Sequence, residues 1–313
     1  MMKKLLVLLG LSLTLFALAC SGCGSTPINP TPTVGGATAY GGTSPTGGTS
    51  AAGGTASSLG GSPAALGGSS ATTTAFRWLA CNETVKAKPI TRHLLSGWHH
   101  STDRAKHHRI KASYSLAANS AFWAPNIKTP LDQGNLGSCT GNAVAQNLST
   151  FPFPFQLTEG DAVKIYSLAT QLDSFAGTYP PTDTGSDGQS AARAAKQLGY
   201  TTLDYGAVDT VEGLQAALQR GPCIIGTTWY SGFSNPTRCG EMQLTGTSDG
   251  GHEVNVVAFD RDRKAIAIRN SWGDDFGNCR DGAPDECGYA YWSLGTVQSL
   301  LKRGAEVDCP MIE

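Results

Sequence analysis

Cys139 lies in Pro130-Leu131-Asp132-Gln133-Gly134-Asn135-Leu136-Gly137-Ser138-Cys139-Thr140-Gly141-Asn142-Ala143, where turn-forming residues give way to small residues able to form a helix. A cysteine in the first turn of a helix meets unpaired backbone N–H groups and the positive end of the helix dipole, both of which favour thiolate over thiol. Downstream, Gly250-Gly251-His252-Glu253-Val254-Asn255-Val256-Val257-Ala258-Phe259 reads as a strand starting at its histidine. Lys264-Ala265-Ile266-Ala267-Ile268-Arg269-Asn270-Ser271-Trp272-Gly273 reads as another, ending in Asn-Ser-Trp-Gly. His93, His99, His100, His107 and His108 all fall before Cys139, so His252 is the one candidate base beyond it. A thiol, an imidazole and a carboxamide in that order suit nucleophilic catalysis.

With Gln133 six residues before Cys139, Gly-Gly-His and Asn-Ser-Trp-Gly, the sequence resembles the papain-like cysteine peptidases, and more closely their bacterial exported members. The resemblance covers about Ala121 to Ile312. It implies that Cys139 is the nucleophile and His252 its base and later acid, the two forming a thiolate–imidazolium pair. Asn270 would orient the imidazole, and Trp272 would shield that bond from water. Gln133 would donate its side-chain N–H to the developing oxyanion together with the Cys139 amide, each such donor being worth about 10²–10³ in rate. Gly188 would be the glycine whose backbone pairs with an extended substrate. Glu253 follows the base at a position that lines the main specificity pocket in relatives, which implies a preference for a basic side chain two residues before the scissile bond.

Leu136 stands where the family often has a cysteine, so the familiar cleft-side disulfide cannot form; Thr140 replaces an aromatic residue. His252 lies 113 residues after Cys139, against a family interval of about 130–150. Residues 77–118 are shorter than the helical inhibitory propeptide of family zymogens and show no amphipathic repeat. Gly97-Trp98-His99-His100-Ser101-Thr102-Asp103-Arg104-Ala105-Lys106-His107-His108-Arg109 tempts a metal reading. Adjacent histidines point apart, however, and Arg104, Lys106 and Arg109 repel a cation. The better reading is a surface extension resembling the Gly-Trp and Asp-Arg leader of bacterial relatives, able to cover the cleft. No metal or organic cofactor is expected.

Around these residues the pattern predicts an α+β domain with the papain-like two-lobe fold and an active cleft between its lobes. The helical lobe would run from about Asn135 to Tyr200, with helices after Cys139, over Glu159–Leu172 and over Ser190–Leu198. The β-barrel-like lobe would take Pro222 to Trp292. Val211, Leu214, Ala217 and Leu218 recur at helical spacing and predict a packed crossover helix within Asp209–Arg220.

The whole chain has 313 residues, 15% charged, with formal net charge −1, which excludes a nucleic-acid binder working by bulk positive charge. Between Lys4 and Arg77 there is no Lys, Arg, Asp or Glu. Residues 1–19, with Lys3-Lys4 before an apolar run, read as a signal peptide. Ala17-Leu18-Ala19-Cys20 reads either as an ordinary A-x-A cleavage site or as resembling a lipobox, with Cys20 lipidated. Residues 20–76 are a Gly/Ser/Thr-rich linker with too few large apolar side chains to offset ordering entropy; as a coil it reaches roughly 40–45 Å. Residues 77–118 form an N-terminal extension and 119–313 the peptidase domain. The expected location is thus exported, as a cell-envelope lipoprotein anchored in the outer membrane or as a secreted monomer. Setting Cys20 and Cys23 aside leaves seven cysteines. Proximity favours Cys279 with Cys287 and Cys223 with Cys239, leaving Cys81 with Cys309 and Cys139 free. The expected function is endopeptidase action on a peptide or protein substrate. Acyl transfer or amidase chemistry on the same fold, and a non-catalytic binding module, are the alternatives.

Overall fold

The computed structural model describes residues 97–110, 119–279 and 287–312, all within one compact unit, Gly67–Glu313. The expected signal peptide and linker, Cys20, Cys23 and Cys81 lie outside the described residues. The helical lobe is built from α1 (Cys139–Leu148), α2 (Glu159–Leu172) and α3 (Gly188–Gln197). All ten residues of α1 are buried, so it is the central rod of the lobe. Its residue Gly141 permits close approach to α2: a methyl group there would stand 2.9 Å from Tyr166 Cβ. A reciprocal box between Thr158 and Asp161 starts α2, and the Asp187 carboxylate accepts the Ser190 N–H at 2.8 Å to start α3.

The second lobe is a mixed-length antiparallel sheet. Its strands are β1 (Ala121–Phe122), β2 (Tyr205–Val208), β3 (Cys223–Tyr230), β4 (Ser248–Asp260), β5 (Ala265–Arg269), β6 (Tyr289–Ser293) and β7 (Glu306–Pro310). Their order is β2-β7-β3-β4-β5-β6, with β1 paired to β4. The sheet is open, which corrects the expected barrel-like lobe: β2 and β6 remain separate edges instead of pairing with each other. The sheet also extends beyond the expected Pro222–Trp292 span, because the C-terminal β7 inserts between β2 and β3. Strand β4 begins four residues before His252, placing the histidine inside a ladder and not at its end. The crossover helix forms as α4 (Val211–Ala217) and shares an apolar core with α5 (Leu294–Lys302) through Leu214, Leu218, Val297 and Leu300.

Between the lobes, α1 meets β4 along a polar seam. Asn147 Nδ2 donates to Asn255 Oδ1 at 3.0 Å, Asn255 Nδ2 to Thr150 Oγ1 at 3.1 Å and Tyr205 OH to Asn147 Oδ1 at 2.7 Å. Gln146 Nε2 donates to the Asn270 carbonyl at 3.3 Å. Leaving one such buried group unpaired costs about 1–3 kcal/mol, so the seam fixes α1 to β4 in one register.

Cys279–Cys287 forms as expected. The other pairing is corrected: Cys223 is bonded to Cys309, because β3 and β7 are sheet neighbours, and Cys239 is disulfide-bonded to a residue outside the described ones. Cys139 is a free, buried thiol. Removing Cys223–Cys309 by double alanine substitution should lower the unfolding free energy by about 4–5 kcal/mol, and removing Cys279–Cys287 by about 2–3 kcal/mol, in guanidinium titrations, because the first closes the far longer loop.

Candidate active site

Cys139 is the first residue of α1, and its sulfur accepts the backbone N–H groups of Thr140, Gly97 and Glu253. Glu253 is the residue after His252, so the thiol abuts β4 one residue along from the histidine. His252 is 1% exposed. Its Nε2–H donates to Asn270 Oδ1 at 2.8 Å, and its Nδ1 is buried with no hydrogen-bond partner. Since the carboxamide oxygen accepts from Nε2, Nδ1 carries the lone pair and can take a proton. Asn270 follows β5 directly and is held by its own amide, which donates to the Gly288 carbonyl at 3.0 Å, and by the Ser271 N–H, which donates to Oδ1 at 2.7 Å.

Trp272 stacks on the His252 ring with centroids 4.7 Å apart, and Trp229 meets the same ring edge-on at 4.8 Å. The two indoles exclude water from the His252–Asn270 bond. Trp272 was expected; Trp229 was not, although its place in an apolar strand run was a usable signal. Gln133 is positioned by the same turn: its amide donates to the Ser271 carbonyl at 3.0 Å, and Ser271 Oγ donates to Gln133 Oε1 at 2.8 Å. Its Nε2 donates to the Leu136 carbonyl at 2.9 Å, on the loop leading to Cys139. An antiparallel bridge between Asp132 and Trp272 completes the join. The structure therefore brings Gln133, Cys139, His252, Asn270 and Trp272 together from four segments.

The site is closed. Ser186 N–H donates to the Gly97 carbonyl at 2.7 Å, His99 N–H to the Ser186 carbonyl at 2.9 Å and Trp98 N–H to the Gly251 carbonyl at 3.1 Å. Gly97 to His99 thus hydrogen-bonds to Ser186 on one side and to Gly251 on the other, with Gly97 packed on the Gly137 backbone beside Cys139. The Trp98 indole lies over Gly226 and is 4% exposed. Beyond it, Ser101 N–H donates to Glu306 Oε2 at 3.1 Å, and Arg104 donates to Asp308 Oδ1 at 3.2 Å and to the Val307 carbonyl at 3.2 Å. Arg104–Lys106 makes one 3₁₀ turn, and the Ile110 N–H reaches the Ala207 carbonyl at 3.0 Å. Cover is thus achieved without any long helix. His99 bonds the Thr184 carbonyl at 2.8 Å and His107 bonds Asp103 at 2.9 Å, so these histidines face different partners.

Gly188 and Ser186 take separate places beside the covering segment. The backbone that pairs with the covering strand is that of Ser186, while Gly188 opens α3 with the Glu253 carboxyl packed against it. Glu253 itself is buried, pointing toward α3. Burial sets the electrostatics of the closed site. Desolvation pushes the Cys139 thiol up to about 12, with the nearby Glu253 charge adding to it, and pushes His252 down to about 4. The two groups are neutral here. An ion pair requires water or substrate charge to reach them.

Asp183 joins two loops: it accepts the Gly137 N–H at 2.8 Å and the Tyr166 hydroxyl at 2.5 Å, and that hydroxyl accepts the Gly185 N–H at 2.9 Å. This hydrogen-bonded clamp holds the loop before Cys139, where Leu136 precludes a disulfide.

No family model matches the chain. An uncharacterized peptidase C1-like protein of Acanthamoeba polyphaga mimivirus is 25% identical over 196 residues, covering 49% of this chain and 63% of that relative's length. Among solved structures, xylellain, a cysteine protease from Xylella fastidiosa, superposes with TM-score 0.53 at 17% identity, covering 74% of this chain and all of xylellain. A procathepsin B of Trypanosoma congolense aligns at TM-score 0.49 and 14% identity, over 70% of this chain and 87% of its own. The chain has the papain-like fold.

Proposed function

We propose that the chain is an exported cysteine endopeptidase whose described form is held closed by its own residues 97–110. The observation that carries this reading is the state of His252: one ring nitrogen donates to Asn270, and the other is buried and unpartnered next to the strand position that meets the Cys139 thiol. On opening, solvation returns the thiol and imidazole toward their ordinary range, and Nδ1 takes the thiol proton. The thiolate attacks a peptide carbonyl, and the Cys139 amide with the Gln133 carboxamide stabilises the oxyanion. The imidazolium then protonates the leaving amine, and the thioester is hydrolysed by water that gives its proton to His252. Export agrees with the cystines Cys223–Cys309 and Cys279–Cys287, since such bonds persist in oxidising compartments. Lipidation of Cys20, as an anchor to the outer membrane, is part of the same proposal.

Cys139→Ala should abolish hydrolysis of fluorogenic peptides, and an epoxysuccinyl thiol-protease inhibitor should label Cys139 in the opened wild-type protein. Asn270→Ala should lower kcat by about 10–100-fold with little change in KM, by analogy with other groups that orient a catalytic ligand. Unimpaired turnover by Cys139→Ala contradicts the reading.

Trp98→Gly should raise the rate of inhibitor labelling above that of the intact closed chain, and Arg104→Ala should do so too. Equal rates in all three proteins would show that residues 97–110 do not govern access.

The closed form should respond to pH through the carboxyls beneath the cover. Glu253, Glu306 and Asp308 are all raised by burial, Glu306 to about 7, with Asp187 adding repulsion and Arg104 and His107 opposing it. The closed form therefore holds protons that solvated carboxylates release, and its stability falls as pH rises through about 7. His252 acts in the opposite sense only below its ordinary value of 6.5. Thermal unfolding should shift to lower temperature on raising the pH through this window, and Glu306→Gln should flatten the dependence.

A further inference from the structure

Cys239, on the loop between β3 and β4, is disulfide-bonded to a cysteine outside the described residues. The other described cysteines are accounted for: Cys223 pairs with Cys309, Cys279 with Cys287, and Cys139 is free. Of the nine cysteines in the chain, that leaves Cys20, Cys23 and Cys81, and all three precede Gly97. Whichever of them is the partner, the chain upstream of the covering segment is joined covalently to the β3–β4 loop. That loop is a firm anchorage. Ser231 N–H donates to the Thr247 carbonyl at 2.9 Å, and Gly232 N–H to the Thr245 carbonyl at 3.1 Å. Beside Cys239 itself, Tyr291 N–H donates to the Gly240 carbonyl at 2.9 Å and Met242 N–H to the Tyr291 carbonyl at 2.9 Å, fastening the loop to the edge strand β6. The cover enters at the same end of the sheet, where Trp98 N–H meets Gly251, opposite Thr228 of β3. Its downstream end is pinned as well: Ile110 bonds Ala207 of β2, and beyond Asn119 the chain enters β1, which pairs with β4. Residues 97–110 are therefore a span fixed to the sheet on both sides, and a peptide bond cut between Ile110 and Ala121 would leave them attached.

We infer that the Cys239 cystine is a reducible latch on the cover, and that the species acting on it is a small thiol or dithiol reductant. An arm pinned at both ends gains few conformations on lifting, whereas an arm pinned at one end gains many, so the cross-link disfavours the open form. Exchange requires a thiolate to reach sulfur. Cys239 is partly exposed, whereas Cys223, Cys309 and Cys287 are buried. The attacking thiolate bonds to one sulfur of the cystine and displaces the other, which takes up a proton. A second reductant thiol then attacks the resulting mixed disulfide. Two protons and two electrons pass to the cystine, and the two reductant sulfurs leave as a disulfide. The cover is then held by its downstream end and its hydrogen bonds alone. The inference rests on the closed-peptidase reading above and adds its control: oxidising surroundings retain the cover and a thiol source loosens it.

The test uses the full chain purified without reductant and follows labelling of Cys139 by the epoxysuccinyl inhibitor. Non-reducing peptide mapping identifies the partner of Cys239, and both cysteines are changed to serine. Without reductant this variant should be labelled at least about tenfold faster than wild type, a modest share of what a cross-link can contribute. Reduced glutathione should bring wild type up to the rate of the variant and leave the variant unchanged, with Cys239 becoming alkylatable before Cys223 and Cys309. Equal rates without reductant, or equal acceleration of both proteins by glutathione, would overturn the inference and leave the peptidase reading standing. Absence of labelling in both proteins and in Trp98→Gly would overturn both. Should the serine variant fail to fold, wild type still decides: a labelling rate that does not rise as Cys239 is reduced overturns the latch.

Discussion

A neutral imidazole carries a proton on one nitrogen and a lone pair on the other, and in this chain the 2.8 Å bond from His252 to Asn270 fixes which is which and how the ring is turned. The two residues come from adjacent strands, so the antiparallel register of β4 and β5, Asn255 opposite Arg269, determines whether they can meet. The ring is confined further by indoles above and beside it. The turn that supplies Asn270 also supplies Ser271, which orients Gln133, and Trp272, which bridges to Asp132. One strand register therefore places His252, Asn270 and the support of Gln133.

The second constraint is dryness. Burying Cys139 and His252 under the covering strand leaves both uncharged, since a low-polarity surrounding penalises each charge more than the partner repays. The same burial raises the carboxyls beneath Trp98. In the closed state burial thus acts in one direction on the thiol, the imidazole and the carboxyls, disfavouring the charged form of each.

Much of this was legible in the residues. Cys139, His252, Asn270, Gln133 and Trp272 could be singled out because they sit in short motifs, and α1, α2 and α3 could be predicted because their apolar spacing and caps are local as well. What could not be read depends on which distant segments become neighbours. Proximity in sequence favoured Cys223 with Cys239, but the insertion of β7 beside β3 brings Cys309 instead. That insertion also delivers Glu306 and Asp308 to the cleft from a strand lying beyond the predicted lobe. That the backbone of Ser186 pairs with Gly97 and His99 could not be read either, because a loop's backbone pairing depends on its path and not on its composition. Trp98 was visible as part of a leader, but its seat over Gly226 is a contact between segments far apart in the chain.

Gly226 has no side chain, and the space it leaves is filled by Trp98 while the cover is in place. The covering segment is in this sense a cast of the cleft, carrying an aromatic plug where there is room and a guanidinium where there is negative charge. Any substitution that reshapes the cleft for a new ligand also reshapes the seat of the plug. The fit of residues 97–110 and the shape of the surface beneath them are consequently set by the same residues.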